Sequence, residues 1–118
     1  MPEAARSAAK MFIADTLGVG IAGAAAPWRR EVLDTAAASG GGARKRRCGA
    51  AGERLPLGQA AMVNAYQMHA LEFDCVHEGA VVHPMAAMLP YLARLGRARG
   101  GISGDKLLRA RSPGSMSR

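Results

Sequence analysis

Proline and glycine divide this chain into short segments, and within the segments apolar residues recur every three or four positions. The breaks fall at Pro27, Gly40–Gly42, Pro56, Pro84 and Gly100–Gly101. A period of three to four residues places apolar side chains on one face of a helix. Aromatic residues make up only 4% of the chain, so the core must consist mainly of aliphatic residues and methionine, and the abundant alanine favours helices. The sequence therefore predicts an all-α fold.

The first two helices are predicted over residues 3–23 and 28–39. The residues of the first helix that we expect to face the core are Ala9, Phe12, Ile13, Leu17 and Ile21. Trp28, Val32 and Ala36 fall on one side of the second helix. Each helix is thus expected to present one apolar face to the rest of the chain.

A third helix is predicted to begin after Pro56 and to run through Phe73. Its residues are apolar nearly all round, which is typical of a helix buried among others. An irregular segment over residues 75–83 leads to Pro84, which presets the helical φ in the first turn of a fourth helix. Pro90 predicts a kink or a restart of that fourth helix.

The C-terminal residues divide into a capped helix and a tail. Ser103 is the predicted N-cap of a short helix over residues 104–110, with Asp105 in its first turn. Residues 111–118 have no apolar period and are predicted to be disordered. We therefore expect a helical domain over residues 1–110 and a tail over residues 111–118.

The positive charge of the chain is concentrated in one basic run and in arginines near the C-terminus. The formal net charge is +7, and Arg44–Arg47 are consecutive basic residues. Residues 43–56 lack helical period and are predicted to form an irregular or short extended loop. A solvated loop is favoured over a nucleic-acid interface, because no aromatic side chains interleave with the run. A small basic module that binds nucleic acid or anionic lipid is the alternative, and polyanionic small substrates are a third interpretation.

Cysteine content and the N-terminus indicate the compartment. Cys48 and Cys75 are the only cysteines in the sequence, and the lack of a CxxC pair points to a reducing compartment. Residues 11–26 are similar to the apolar part of a signal peptide, but Asp15 and several glycines interrupt them. The stretch also looks too short to span a bilayer. We expect a cytoplasmic protein without a membrane partner.

Residues 18–23 satisfy the pattern GxGxxG. A dinucleotide site is rejected, because the preceding segment has helical period and no strand with an acidic end follows at the expected distance. Glycines that allow close packing of helices are the better interpretation.

All the histidines of the protein fall in one polar cluster. Its members are His69, Glu72, Asp74, His77, Glu78 and His83. His69 and Glu72 are spaced so that they share a helix face. Desolvation between Leu71 and Phe73 is expected to raise the pKa of Glu72 toward neutrality, which suits a general acid.

His83 precedes Pro84 and is predicted to be the N-cap of the fourth helix. The positive end of the helix dipole disfavours imidazolium, so the ring is expected to stay neutral and able to accept a proton. Free amides nearby favour a substrate carboxylate. Two other interpretations of the cluster stay open, a capping network and a metal site. The residue types suit a metal ion, but their spacing matches no familiar zinc pattern, and we predict none.

The polar cluster is part of a longer motif. Residues 69–84 read HALEFDCVHEGAVVHP. This run resembles the signature of the MmgE/PrpD family, in which His-Ala-Leu-Asp-Phe-Asp-Asp-Thr-His leads through a short apolar loop to His-Pro. Similar segments in the same register, from Ala9 to Leu108, are Asp15–Gly18, Ala22–Gly23, Arg54–Pro56, Asn64–Ala65 and Ser103–Gly104.

The resemblance implies a lyase that needs no cofactor and acts on small di- or tricarboxylates. Members of the family include 2-methylcitrate dehydratase, cis-aconitate decarboxylase and an epimerase of iminodisuccinate. Their fold has a large all-helical domain and a smaller α+β domain, and they are usually homodimers. The expected partner is thus a small polycarboxylate substrate, with nucleic acid as the less favoured alternative.

The resemblance also implies roles for individual residues. Glu72 and His83 match the family's catalytic positions, while His69, Asp74 and His77 are assigned to substrate binding. Two positions depart from the family's pattern. Cys75 replaces the second aspartate of a pair and Val76 replaces a threonine, which leaves the substrate and the reaction open.

The length of the chain sets a further expectation. The lysines and additional histidines that bind substrate carboxylates in the family lie beyond residue 118, so we expect a truncated N-terminal portion, a partial helical domain, that is inactive by itself. A third interpretation follows from the same argument: a helical layer without the rest of its core exposes an apolar face and is unstable.

Overall fold

The computed structural model describes residues 1–39, 46–47 and 52–110, and within these residues the protein is built from helices. The helices are α1 (Glu3–Ala22), α2 (Arg29–Ser39), α3 (Leu57–His69), α4 (Pro84–Ala98) and α5 (Gly104–Ala110). Two strands of two residues, β1 (Arg46–Arg47) and β2 (Arg54–Leu55), pair antiparallel with Arg46 opposite Leu55. The all-α prediction is confirmed.

Helix α3 is the central element of the fold. It packs against α1, α2 and α4. The residues that it buries are Ala60, Ala61, Val63, Asn64, Gln67 and Met68. Because α3 is buried on several sides, nearly all faces of the helix carry apolar residues, as the sequence predicted.

The core divides into two clusters on either side of α3. Between α2 and α3, Ala36, Leu55, Ala60 and Val63 form the first cluster, with Val32 and Leu33 packed against it. The second cluster joins α3 to α4 and α1 and consists of Met68, Met85, Ala86 and Leu89, with Phe12, Ile13 and Cys75 packed against it. Because Cys75 packs there, the second cluster anchors the segment that follows α3.

Gly20 in α1 and Gly23, the residue directly after α1, allow α1 and α3 to approach closely. A Cβ atom on Gly23 would lie 1.9 Å from the carbonyl oxygen of Gln67, and one on Gly20 would lie 2.9 Å from Cγ of Met68. Close packing therefore explains Gly20 and Gly23. Gly18 has no neighbour within 4 Å at that position, so the packing interpretation does not extend to it.

Several large apolar side chains are more exposed than the sequence predicted. Helix α3 ends at His69 rather than continuing to Phe73, and Phe73 is 78% exposed. Trp28 has a φ of 55°, precedes α2 and is also exposed. Leu17 and Ile21 are exposed too, because nothing in the described residues covers this part of α1. The prediction that Trp28, Leu17 and Ile21 lie in a core is therefore wrong.

Leu17 and Ile21 nevertheless share one face, as their spacing predicted. Together with Ile13, Leu89, Pro90 and Leu107 they line an apolar groove of about 220 Å³, the α1 groove. The period of the sequence thus identified the apolar face correctly.

Helix α4 runs without a break from Pro84 to Ala98, so the predicted restart at Pro90 does not occur. Pro84 occupies the first turn, as expected, and Pro90 lies buried inside the helix. Proline inside a helix removes one backbone hydrogen bond. The burial of Leu89 and Pro90 supplies tertiary packing that offsets this loss.

Helix α5 is capped and tied to α1. The hydroxyl oxygen of Ser103 accepts a hydrogen bond from the amide of Lys106 at 3.3 Å, which confirms the predicted cap. Asp105 lies 2.6 Å from Nε of Arg109 and 2.8 Å from Nη2 of Arg6 in α1. The hydrogen bonds from Arg109 and then Arg6 hold the pKa of Asp105 below its usual value.

One helical stretch, Glu3–Ala25, is long and apolar enough by composition to cross a membrane, contrary to the expectation from its sequence. This is weak evidence, because core helices of soluble proteins and signal sequences meet the same criterion. In this fold the stretch packs on α3 and α4.

The predicted loop over residues 43–56 is partly described. Its short extended pieces are β1 and β2. Arg44 and Lys45, the side chains of Arg46 and Arg47, and the predicted tail over residues 111–118 lie outside the described residues. The nucleic-acid alternative and the disordered tail thus stay predictions.

Candidate active site

The chain turns sharply after α3 and brings three residues of the polar cluster together. The amide of Glu72 donates to the carbonyl of His69 at 2.8 Å, and Glu72 has a φ of 55° in the left-handed region. A residue in that conformation just beyond a helix turns the chain back. Asp74 is thereby placed beside His69, the last residue of α3.

Asp74 lies at the centre of the site, between two imidazole rings. Its side chain is 0% exposed, and its Oδ1 atom is 3.0 Å from Nδ1 of His69. Its Oδ2 atom is 3.1 Å from Nδ1 of His83. The two rings lie 4.6 Å apart between centroids. The structure therefore unites His69, Asp74 and His83, and we call these three residues the His–Asp–His cluster.

The two contacts of Asp74 differ in quality. The contact with His69 has hydrogen-bond geometry. Oδ2 of Asp74 and Nδ1 of His83 are close enough to bond, yet both atoms are buried without a hydrogen-bond partner in the described part of the chain. Their separation is short, but their alignment is too poor for a hydrogen bond.

His83 reaches the cluster from the start of α4. It is the N-cap residue, as predicted, and precedes Pro84. Its side chain makes no capping hydrogen bond, because Nδ1 faces Asp74 instead. A capping network is therefore not the explanation for His83.

An apolar groove of about 400 Å³, the histidine groove, opens beside the cluster. The residues that line it are Met62, Ala65, Tyr66, His69, His83, Ala86 and Ala87. The hydroxyl of Tyr66 donates to the carbonyl of Pro27, which holds this ring in place. The two imidazoles thus supply the polar, chemically reactive groups of an otherwise largely apolar groove.

Glu72 and His77 lie outside the His–Asp–His cluster. Glu72 is exposed, so the desolvation expected between Leu71 and Phe73 is absent, and that expectation is wrong. His77 is exposed, and its Nδ1 accepts a hydrogen bond from the amide of Ala80 at 3.2 Å. Capping of a short 3-10 turn is what the structure shows for His77.

The carboxylate that meets His83 is therefore Asp74, whereas the sequence had pointed to Glu72. Helical spacing could not have revealed this, since Asp74 lies beyond the end of α3. The signal available in the sequence was the position of Asp74 within the 69–84 motif, together with the clustering of all histidines near it.

The His–Asp–His cluster also has the composition of a metal site. One ligand atom from each of His69, Asp74 and His83 lies within 4.8 Å of the others. Imidazole nitrogen and carboxylate oxygen are ligands that zinc accepts. The sequence spacing had argued against a metal, but the turn after α3 brings distant positions together.

Fold and site together define the class of this protein: an all-helical chain with a buried carboxylate between two histidines at the edge of an apolar groove. The chain matches the model of the MmgE/PrpD N-terminal domain over residues 1–114. It belongs to the MmgE/PrpD family, whose members are of the lyase type. No curated protein and no solved structure matches it.

Proposed function

We propose that this chain contributes the histidine-bearing part of a lyase site for small di- or tricarboxylates, without a cofactor. The observation that supports this most is the placement of His83, which lines the histidine groove while its Nδ1 faces the buried Asp74. A carboxylate at one ring nitrogen orients the ring and sets which nitrogen is free. Nε2 of His83 is thus the atom left to exchange a proton with substrate.

The proposed chemistry is proton transfer at the carbon next to a substrate carboxylate. In the elimination direction Nε2 of His83 takes the proton, a carbon–carbon double bond forms, and the hydroxyl leaves as water after receiving a proton from a partner group. Glu72 is the partner that its position in the family motif implies, and its exposed side chain lies outside the lining of the histidine groove. A positioned acid or base contributes about 10²- to 10⁴-fold in rate.

The free backbone amides at the start of α4 support binding of an anion near His83. The first amides of a helix have no partner inside the helix and attract carboxylates. His69 lies on the same groove, so substrate binding by His69 and orientation by Asp74 belong to the same proposal. His77 is the least supported of the proposed binding residues.

Binding to the groove is tested by NMR of the imidazole groups with propane-1,2,3-tricarboxylate, an unreactive tricarboxylate. The protein has three histidines, so each ring gives an assignable signal. We expect larger shifts at His69 and His83, which line the histidine groove, than at His77, which does not. Absence of any shift, or equal shifts of all the rings, would contradict the proposed site.

Turnover by the 118-residue chain alone is not expected. Polycarboxylates are held by arginine and lysine side chains, and the residues that line the histidine groove include neither. Assays with 2-methylcitrate and cis-aconitate, followed by absorbance, should show no reaction. Clear turnover that His83→Ala abolishes would show that this chain is sufficient. The cytoplasmic location and the homodimer remain parts of the proposal.

A further inference from the structure

We propose that a second copy of this chain docks on the exposed side of α4, with the two α4 helices antiparallel about a two-fold axis near Tyr91. The residues of this surface, the α4 face, are Pro84, Ala87, Met88, Tyr91, Leu95 and Ala98. The docking surface follows from exposure, residue spacing and charge. Its contribution to the histidine groove rests on the proposed function.

Helix α4 is apolar on the side that points away from the core. Met88 and Tyr91 are 40% and 52% exposed, and Ala87 and Ala98 are exposed as well. The opposite side packs on α3 and α1, and the residues buried there include Met85, Ala86, Leu89 and Pro90. A helix that is apolar on opposite sides is typical of one covered on both. Nothing in the described part of the chain covers the α4 face, so it is available to a partner.

The spacing of the α4 face is that of two helices that pack together. Steps of four and three residues alternate along Pro84, Met88, Tyr91, Leu95 and Ala98. Apolar residues with this repeat form the contact seam of paired helices. Pro84 and Ala98 are equally far from Tyr91 in the sequence, so the seam is nearly symmetric about Tyr91. A two-fold axis there places Met88 of each copy opposite Leu95 of the other.

The charges on either end of α4 favour a second copy in the antiparallel direction. Residues 55–93 contain no lysine or arginine, and the exposed Glu72 and Glu78 lie in the segment that leads into α4. Arg97 and Arg99 are exposed at the other end of the helix. An antiparallel pair brings the acidic segment of each copy near the arginines of the other, whereas a parallel pair would bring like charges together. The surface is thus complementary to itself.

The same arrangement supplies cations to the histidine groove. His83 is the N-cap of α4, and Ala87 belongs both to the α4 face and to the lining of the groove. Polycarboxylates are held by arginine and lysine side chains, which are absent from that lining. Arg99 of the second copy lies at the end of its antiparallel α4 and is therefore the proposed binding partner of a substrate carboxylate.

The test is sedimentation velocity of the full 118-residue chain over a range of concentrations. The wild type should show a reversible monomer–dimer equilibrium that weakens as salt is added. Tyr91→Glu places two carboxylates at the two-fold axis, and we expect it to weaken dimerisation by at least about 10-fold, as loss of an interface aromatic does. Tyr91 is exposed, so the variant should keep the helical circular dichroism of the wild type.

Ile21→Glu is the matched control for added charge at an exposed apolar residue. Ile21 is 68% exposed but lines the α1 groove rather than the α4 face. This variant should dimerise as the wild type does. Met88→Glu, a second substitution on the α4 face, should weaken dimerisation as Tyr91→Glu does.

Cysteine cross-linking tests the direction of the two helices. In a Cys48→Ser, Cys75→Ser background, Tyr91→Cys should form disulfide-linked dimers under mild oxidation, because the two-fold axis places this position opposite itself. Ala98→Cys is the control on the same helix. It should not cross-link, since it meets Pro84 of the second copy.

The docking surface is overturned if the wild type, with intact helical circular dichroism, stays monomeric up to millimolar concentration, because something other than a second copy then covers the α4 face. Dimerisation of Tyr91→Glu as tight as that of the wild type would overturn it too, as would cross-linking of Ala98→Cys as fast as that of Tyr91→Cys.

The contribution to the groove has a separate readout. In the dimer, Arg99→Gln should reduce the tricarboxylate-induced shift of His83, and an unchanged shift would exclude Arg99 as a substrate contact. If the wild-type dimer shows no shift at all, the proposed function fails while the docking surface stands.

Discussion

At the scale of single residues, Asp74 is central to the candidate site, because its carboxylate contacts both imidazole rings. It is buried, it accepts from His69, and it faces His83 across 3.1 Å. Each imidazole is therefore oriented by the same group, and both line the histidine groove. A substrate carboxylate that enters the groove therefore meets rings whose positions Asp74 sets.

Replacing Asp74 should cost stability. Asp74→Ala removes the partner of His69 and leaves a small cavity, and hydrogen bonds to charged groups contribute about 1.5–3 kcal/mol. We expect the free energy of unfolding to fall by roughly that amount, measured by urea denaturation followed by circular dichroism. Glu78→Ala, an exposed acidic residue of the same segment, should change it by less than about 0.5 kcal/mol. Equal effects of the two substitutions would contradict this.

Asp105 gives a pH dependence whose sign is determined by its neighbours. Arg109 and then Arg6 hold its pKa below the ordinary 3.8. A group with a lowered folded-state pKa contributes stability above its unfolded pKa and loses it as pH falls through the folded pKa. As the pH decreases below 3.8, the urea concentration at the midpoint of unfolding should therefore decrease less in Asp105→Asn than in the wild type. Asp34→Asn, on exposed α2 surface, is the control, and parallel curves for Asp105→Asn and wild type would refute the prediction.

At the scale of elements, the contact between α1 and α3 determines how closely the helices pack. Gly23 lies against the backbone of Gln67, and Gly20 against the side chain of Met68. A backbone neighbour cannot move aside as a flexible methionine can. The position of α1 on α3 thus depends mainly on the absence of a side chain at Gly23.

Gly23→Ala should destabilise the protein. The added Cβ would lie 1.9 Å from the carbonyl oxygen of Gln67, so α1 must shift, at a cost of about 1–3 kcal/mol for overpacking. Gly18→Ala is the matched control in α1, because it has open space and alanine favours a helix interior by up to about 1 kcal/mol. Thermal unfolding should lower the Tm of the first variant and raise that of the second. If the Tm of Gly23→Ala equals or exceeds that of the wild type, Gly23 is not in close contact with the backbone of Gln67.

At the scale of the whole molecule, the apolar α1 groove is exposed although it is formed by four helices. Its lining comes from α1, α3, α4 and α5 and includes Leu17, Ile21 and Leu107. Continuous exposed apolar surface is a liability for solubility. This agrees with the interpretation that a helical layer of this kind leaves an apolar face uncovered.

The chain should therefore aggregate in a concentration-dependent way, and Ile21→Glu should reduce the aggregation seen by light scattering. Ile21 is 68% exposed and lines the α1 groove. Met11→Glu is the matched control, since Met11 lies on the same helix and is 63% exposed. Equal effects of both substitutions would mean that general charge, rather than the groove, controls solubility.

Features decided within one or two helical turns could be predicted from the sequence. The all-α class, the ends of α1, the Ser103 cap, Pro84 in the first turn of α4 and His83 at its N-cap all follow from residues that are neighbours in the chain. The 69–84 motif also identified the family, which the match over residues 1–114 bears out.

Features decided by contacts between distant residues required the tertiary structure. Glu72 and His69 share a helical spacing, yet α3 ends at His69. The left-handed turn at Glu72 leaves the Glu72 side chain exposed and places Asp74 between the two imidazoles. Likewise, the apolar period of α1 predicted that Leu17 and Ile21 share one face of the helix. It could not show that this face is exposed. Periodicity reports which residues share a face, because it depends on helix geometry alone. Burial depends on what packs there, and that is decided only when the whole chain has folded.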